Sequence, residues 1–325
     1  MRLGFYMGYA PPGTNPTELV ALAQEAEVLG YDSAWAAEAW GTDSVSVLAW
    51  LAAVTTTLKV GSAIMQIPAR TPAATAMTAA TIDLMSGGRF LLGLGTSGPQ
   101  VVEGWHGQEW GKPLARTREY VEIVRAALRR EALVYQGEHY RLGEPPLKLM
   151  LRPLRAEIPI YLAAISPKAV AQTAEIADGW LPIFFVPEKV REAFPAPFER
   201  AGLDIAPSVP AVVDDDVQAA RDALKPYYSF YVGSMGSRKR NFYNDLFARY
   251  GYEREAAEIQ ELALAGKQRE AAALVPDSFV DEAALVGPKE RIAERLEAFR
   301  EAGATTLLIS TRDPATLRAV AEAAG

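Results

Sequence analysis

Short apolar runs alternate with amphipathic helical stretches along almost the whole chain, and this rhythm narrows the available folds more than any other feature. Strands are expected at Leu3–Met7, Ser33–Ala36, Lys59–Met65, Phe90–Leu94, Pro159–Ala163, Gly179–Phe184, Ser208–Val213 and Thr305–Ser310. Helices are expected from Pro16 to Leu29, within Asp43–Thr55, and at Thr71–Met85, Leu114–Arg130, Pro167–Ala177, Pro187–Ala201, Asp216–Lys225, Pro288–Ala302 and Pro314–Ala324. The first helix illustrates the signal: Leu19, Leu22, Ala23, Ala26 and Leu29 recur at helical spacing, Pro16 opens it and Gly30 closes it. Nearly every strand is followed by a helix, which points to an α/β fold of the TIM, (β/α)8, barrel type rather than an open doubly wound sheet. The chain reads as one barrel domain over 1–325. It carries a long loop at 95–113, a hairpin insertion around 131–157 and a larger, irregular, aromatic-rich and partly helical insertion around 226–286. In such a barrel the active face is built from the loops after the strands, here 8–15, 37–42, 65–70, 95–112, 164–166, 184–186, 214–217 and 310–313.

Composition removes several classes of function. Forty acidic against 33 basic residues give a net charge of −7 without a basic tract, so neither nucleic acid nor an anionic membrane is an expected partner. The chain has no cysteine and two histidines, His106 and His139, which leaves no thiolate nucleophile and no histidine-rich metal centre. No apolar run reaches the roughly 18 residues of a membrane span. The start, MRLGFYMGYAPPG, reads as a strand and loop rather than a signal peptide, and a cytoplasmic location is expected.

GLGTSG at 93–98 matches the G-x-G-x-x-G pattern of dinucleotide-binding loops. The context argues against that reading. It follows the fourth strand, not the first, and the next helix is expected only at Leu114. Two readings remain open. Gly93 and Gly95 relieve crowding at the top of a strand, or Gly95, Thr96, Ser97 and Gly98 offer amides and hydroxyls to an anion.

The stretch GSAIMQIPARTPAATAMTAATIDLMSGGRFLLGLGTSG resembles the luciferase-like monooxygenase superfamily, and within it the branch that uses the deazaflavin coenzyme F420. GYDSAWAAEAW, YQGEHYRL, EIADGWLPIFF and ALVGPKERIAERLEAF extend the resemblance in order over nearly the whole chain. The resemblance implies a flavin or deazaflavin at the carboxyl ends of the barrel strands. It implies a non-prolyl cis peptide at Ala63–Ile64, with Ile64 against the ring, and marks Gln66 close by as cofactor-facing. It also implies phosphate binding by Gly95, Thr96, Ser97 and Gly98 and by the turn Ala164, Ile165, Ser166, Pro167. Relatives often have glycine at the positions of Ala164 and Ile165.

Sugar-phosphate-oxidising relatives carry an Asp-His pair where this chain has Glu38-Ala39, and an acid where it has Pro99. Glu38 remains a hydrogen-bond acceptor for ring or substrate, whereas Ala39 takes no proton. Glucose-6-phosphate dehydrogenation is therefore not expected. His106, near Trp105, Gln108, Glu109 and Trp110, is a candidate general acid or a structural loop residue. His139 reads as structural, and Glu103 and Glu109 as solvent-facing. Arg238, Lys239 and Arg240, with Tyr227, Tyr228, Tyr231, Phe242 and Tyr243, form either a packed cap or a patch for the coenzyme's acidic tail. The leading expectation is an F420-dependent oxidoreductase acting on a small organic substrate, as a monomer or homodimer. The alternatives are an FMN-dependent monooxygenase and a catalytically idle flavin-binding protein.

Overall fold

The computed structural model describes residues 1–8, 15–236, 238 and 240–325. Residues 9–14 of the expected active-face loop, and Lys239 of the basic cluster, lie outside the described residues. The chain divides into two units, one of Gly4–Ala164 with Gln172–Leu181, the other of Met1–Leu3, Ile165–Ala171 and Pro182–Gly325.

The first unit alternates strands and helices as its sequence predicts, although Arg2 and Leu3 of its first strand and Pro167–Ala171 of its last helix belong to the other unit. Its order is β1 (Arg2–Gly8), α1 (Pro16–Val28), β2 (Ser33–Ala36), α2 (Ser44–Val54), β3 (Lys59–Ser62), β4 (Met65–Gln66), α3 (Pro72–Met85) and β5 (Phe90–Gly95). Then come α4 (Pro99–Gly104), α5 (Pro113–Leu128), a hairpin of β6 (Tyr135–Gln136) and β7 (Arg141–Leu142), β8 (Ile160–Leu162), α6 (Pro167–Ile176) and β9 (Gly179–Trp180). Local chemistry sets the helix starts. Asn15, Asp43 and Thr71 each accept an N–H of the first turn they precede, and proline occupies the first turn of α1 and α3. The strands pair in parallel in the order β1, β2, β3, β5, β8, β9, with β4 also on β5.

This sheet curls, and glycines permit it. Trp35 on β2 and Tyr161 on β8 meet edge to face at 5.1 Å between centroids, although β3 and β5 lie between their strands. In a flat sheet three strand spacings would separate their backbones by about 14 Å. The rings pass over glycines: a Cβ at Gly61 would stand 2.4 Å from the Trp35 ring, and one at Gly179 would stand 2.1 Å from the Tyr161 ring. The aromatic pair contributes about 1 kcal/mol beyond its buried area. The result is an α/β fold built on a curled parallel sheet.

Several boundaries differ from expectation for identifiable reasons. The third strand is two pieces, β3 and β4, separated by a cis peptide at Ala63–Ile64. The helix expected only at Leu114 is preceded by α4, which starts at Pro99 directly after Gly98; its six residues are too few to show a helical period. The expected strand Gly179–Phe184 ends at Trp180, and Phe184 takes a positive φ of 53°.

The second unit holds α7 (Val190–Ala193), α8 (Ala196–Glu199), β10 (Asp204–Ile205), β11 (Ser208–Val213), α9 (Val217–Ser229), a π-turn at Phe230–Ser234 and α10 (Phe242–Arg249). It continues with α11 (Glu253–Leu264), α12 (Gln268–Ala273), α13 (Asp277–Ala283), β12 (Leu285–Gly287), α14 (Lys289–Glu301), β13 (Thr306–Ser310) and α15 (Pro314–Ala324). The helix expected over Pro187–Ala201 is broken into α7 and α8. Pro195 pushes Phe194 out of helical geometry, to φ −145° and ψ 76°. The insertion, expected to be irregular and only partly helical, is helical over most of its described residues. Strand β12, three residues long and unforeseen, pairs in parallel with β11, as does β13. Phe184 sits among Tyr227, Tyr228, Tyr231, Tyr243 and Phe279 with centroids 5.3–6.4 Å away, so the aromatic cluster is a packed core; Arg238 and Arg240 are exposed.

One carboxylate ties α1 to the turn before β3. Glu27 Oε1 accepts the N–H groups of Thr56 at 2.8 Å, Thr57 at 2.6 Å and Leu58 at 2.9 Å. Burial raises its pKa, but these donors outweigh that and bring it to about 2 from an ordinary 4.5. The folded pKa is the lower one, so the stabilisation is complete above about pH 4.5 and is lost as pH falls towards 2. Glu27→Gln should flatten the decline of Tm over that interval. Superimposable acid profiles for the two proteins would refute the assignment.

Candidate active site

The carboxyl ends of β2, β3 and β5 converge on the cis peptide between Ala63 and Ile64. Around this bulge the backbone remains satisfied. Ala63 N–H donates to Ala36 O at 2.8 Å, Glu38 N–H to Ile64 O at 3.2 Å, and the ladder resumes at Met65 opposite Leu94. In the gap the Ser62 hydroxyl donates to Gly93 O at 2.8 Å and accepts Gly93 N–H at 2.9 Å. A side chain thus replaces the missing backbone partner.

The glycines of GLGTSG take their meaning from this packing. A Cβ at Gly93 would lie 1.8 Å from the Ser62 carbonyl oxygen, an impossible contact. A Cβ at Gly95 would lie 2.8 Å from Ile64 Cγ1. Both glycines therefore serve close approach, and Ile64 rests on Gly95 with its side chain half-buried. The left-handed residue of the loop is Ser97, at φ 59°, not a glycine. Thr96, Ser97 and Gly98 are half-exposed, and Thr96 Oγ1 donates to the Ser97 carbonyl at 3.5 Å. The loop so placed is not a dinucleotide fingerprint.

Glu38 is held by a residue that sequence reasoning missed. Arg70 donates from Nη1 to Glu38 Oε2 at 2.6 Å and from Nη2 to Oε1 at 2.9 Å, and reaches Asp43 Oδ1 at 2.7 Å. Burial lowers the Arg70 pKa, yet the two carboxylates outweigh it and raise the pKa above its ordinary value. Asp43 is held below its usual range: burial raises it, but the hydroxyl and N–H of Ser46, followed by Arg70, prevail. The Arg70 backbone is fixed too, its carbonyl accepting from the buried Tyr120 hydroxyl at 3.2 Å. Arg70 lies in the same stretch, GSAIMQIPARTPA, that directed attention to Ile64. Its partner is 32 residues away, so no local pattern marks the pair.

Gln66, 1% exposed, stands between this cluster and His106. Its Nε2 donates to Ala39 O at 2.6 Å, its backbone N–H points to Glu38 Oε2 at 3.3 Å, and its Oε1 lies 3.3 Å from His106 Nε2. His106, half-buried, is anchored by its N–H to Val101 O of α4 at 3.0 Å. Glu38, Ala63, Ile64, Gln66, His106 and the loop 95–98 are thus all placed in the first unit.

The second expected phosphate turn is shaped by its own contacts. Trp180 Nε1 donates to Ala164 O at 2.9 Å, and the Ser166 hydroxyl accepts Ala169 N–H at 3.4 Å as a cap on α6, whose first residue is Pro167. Ile165 is half-buried. His139 belongs to the hairpin, where the Glu119 carboxylate accepts the N–H groups of Glu138, His139 and Tyr140 at 2.7–3.1 Å. Glu103 and Glu109 are exposed. Among the described residues no group of three or more His, Cys, Asp or Glu could hold a metal ion, and no helix is long and apolar enough to cross a membrane.

A bulge of this kind on a curled parallel sheet can be compared with known proteins. The family model for luciferase-like monooxygenases matches residues 1–306. The chain belongs to the luciferase-like monooxygenase family. Among its relatives is a Mycobacterium tuberculosis protein provisionally named a coenzyme F420-dependent oxidoreductase, 43% identical, with 99% of this chain and 98% of that protein covered. A 5,10-methylenetetrahydromethanopterin reductase of Archaeoglobus fulgidus is 31% identical, covering 91% and 90%. The structure of the coenzyme F420-dependent tetrahydromethanopterin reductase of Methanopyrus kandleri superposes with a TM-score of 0.84 at 23% identity, over 99% of this chain and 97% of that one. At that identity it speaks for the shared fold.

The Glu38–Arg70–Asp43 cluster makes a prediction for this family member. Arg70→Met would leave two neighbouring carboxylates without their cation, and should cost about 3 kcal/mol in urea unfolding, the lower end of the range for breaking a buried pair. Adding Glu38→Gln should recover part of the loss. A change within about 0.5 kcal/mol, as at ordinary surface positions, would refute the reading.

Proposed function

We propose that the chain is a coenzyme F420-dependent oxidoreductase that moves a hydride between the deazaflavin and a small organic substrate. The observation that carries this reading is Ile64, a half-buried apolar side chain at the cis bulge, seated on Gly95 where any side chain would displace it. An apolar shelf at strand ends, beside the half-exposed hydroxyl residues Thr96 and Ser97, fits a flat ring carrying a phosphate. The 43% identical relative, named for the same coenzyme, supports the choice of deazaflavin over FMN.

In this reading Ala63 and Ile64 back the ring. Gly95, Thr96, Ser97 and Gly98 offer amides and hydroxyls to the phosphate. When bound, the deazaflavin supplies two electrons as a hydride. The protein orients the partners, excludes water from one ring face with Ile64, and moves a proton through His106. Glu38, with both oxygens on Arg70, acts as a fixed acceptor rather than as a base. We further propose that the strands close into a (β/α)8 barrel. The exposed Trp50, Met77 and Leu84 of α2 and α3 would receive a second copy of the chain, which light scattering on the purified protein tests.

Titration of purified protein with deazaflavin and with FMN, followed by ring fluorescence, tests the central claim. Deazaflavin should bind and FMN should not displace it; binding of FMN alone would overturn the proposal. Ile64→Gly should weaken deazaflavin binding roughly tenfold, the effect of losing an apolar contact of this size, while circular dichroism stays unchanged. Unaltered affinity would remove Ile64 from the site. Binding without turnover across a panel of carbonyl and imine acceptors would favour the idle binder.

A further inference from the structure

We infer that Gln66 holds His106 in the tautomer protonated at Nε2, so that Nδ1 is the nitrogen that gains and releases the proton. The inference rests on the reading of His106 as the proton carrier. Gln66 is buried, and its side-chain amide contacts two groups. One is the Ala39 carbonyl oxygen, which can only accept a hydrogen bond. The amide NH2 must therefore face Ala39, where Nε2 is found at 2.6 Å. This fixes the amide's orientation by chemistry rather than by the choice between two similar atoms.

The other end follows. Oε1 faces His106 Nε2 at 3.3 Å and offers lone pairs only. An unprotonated Nε2 would set acceptor against acceptor; a protonated one completes a hydrogen bond to a buried carbonyl. A neutral imidazole carries one N–H, so Nδ1 is left with its lone pair. Gln66 is itself immobilised. Its backbone pairs opposite Gly95 in the β4–β5 ladder, and its N–H points to the carboxylate that Arg70 clamps. The His106 main chain is held by its N–H, which donates to the Val101 carbonyl of α4.

The chemistry balances with this assignment. Reduction of a C=X acceptor, with X oxygen or nitrogen, forms a C–H bond from the hydride supplied by the reduced deazaflavin, which is oxidised by two electrons. The Nδ1–H bond of the imidazolium breaks and an X–H bond forms, leaving neutral His106 in the Nε2–H form that Gln66 stabilises. Oxidation runs the same transfers backwards, with Nδ1 accepting the proton. Gln66 touches neither partner in this scheme and is a positioning residue.

The tautomer can be measured directly, because the chain has two histidines. In long-range 1H–15N spectra of the protein without cofactor, at alkaline pH, His106→Asn identifies the His106 ring signals. The Nε2–H form should be in about tenfold excess, the ratio one net hydrogen bond supports. Gln66→Met, which offers no amide acceptor, should lower the excess towards the ratio of a free histidine ring, and Gln66→Glu, which retains an acceptor, should keep it. A wild-type ring protonated at Nδ1, or a ratio unchanged in Gln66→Met, would overturn the assignment. If the variants do not fold, the wild-type spectrum decides: an Nε2–H excess above that of a free histidine ring supports the assignment, and one no greater overturns it. Since no cofactor is present, this result is independent of the deazaflavin titration, and failure of one leaves the other standing.

Discussion

The backbone of β5 lies against the end of β3 so closely that no side chain fits between them, and the site depends on that approach. At Gly93 the obstacle is a backbone carbonyl, which cannot rotate away as a side chain could. Substitution there would have to move a strand. The bulge at Ala63–Ile64 interrupts the ladder at this point, and the Ser62 hydroxyl, donating and accepting on the same residue, restores what the interruption removes. One step further along β5, Gly95 leaves the space that Ile64 fills. The two glycines and the serine thus make one device, which turns a strand end into an apolar shelf without leaving buried polar groups unpaired.

The polar side of the site solves a different problem. Glu38, Arg70 and Asp43 place two carboxylates and one guanidinium close together, and only multiple hydrogen bonds make such a group tolerable away from bulk water. Because both oxygens of Glu38 are engaged by Arg70, its charge is committed to structure. The residue that reaches inward from this cluster is the neutral Gln66. An amide can be almost wholly buried at far lower cost than a charge, provided both its ends find partners, and both do. Charge is kept at the margin and its orientation is relayed through a neutral group.

Much of this fold is legible in the sequence because it is periodic. β2 and β11 fall where apolar runs place them, and α15 falls between its proline and the chain end. What was lost lacked period. β12 is three residues long, and α4 is six, opening on a proline after a glycine, a pattern that reads equally well as loop. The cis peptide was legible only through family resemblance, since Ala63-Ile64 is by itself an ordinary apolar pair. Within the site, single residues were nameable and their pairings were not. Glu38 and His106 stand out by chemical type, whereas Arg70 and Gln66 act through partners 27–40 residues distant. Spacing along a chain carries no record of such contacts.

The two departures from the sugar-phosphate-oxidising pattern appear, from sequence alone, as losses: Ala39 where a histidine base is found, and Pro99 where an acid is found. In the folded chain each position has a structural use. Ala39 contributes its carbonyl oxygen, and that oxygen fixes the direction of the Gln66 amide. Pro99 opens α4, and the helix supplies the Val101 carbonyl that anchors His106. The two positions therefore lie in the contacts that set the Gln66 amide and the His106 main chain. An imidazole carried on a loop needs support from outside the sheet, and here a main-chain carbonyl provides it through the Gln66 amide. Under the proposal that His106 carries the proton, the path is relocated rather than abandoned.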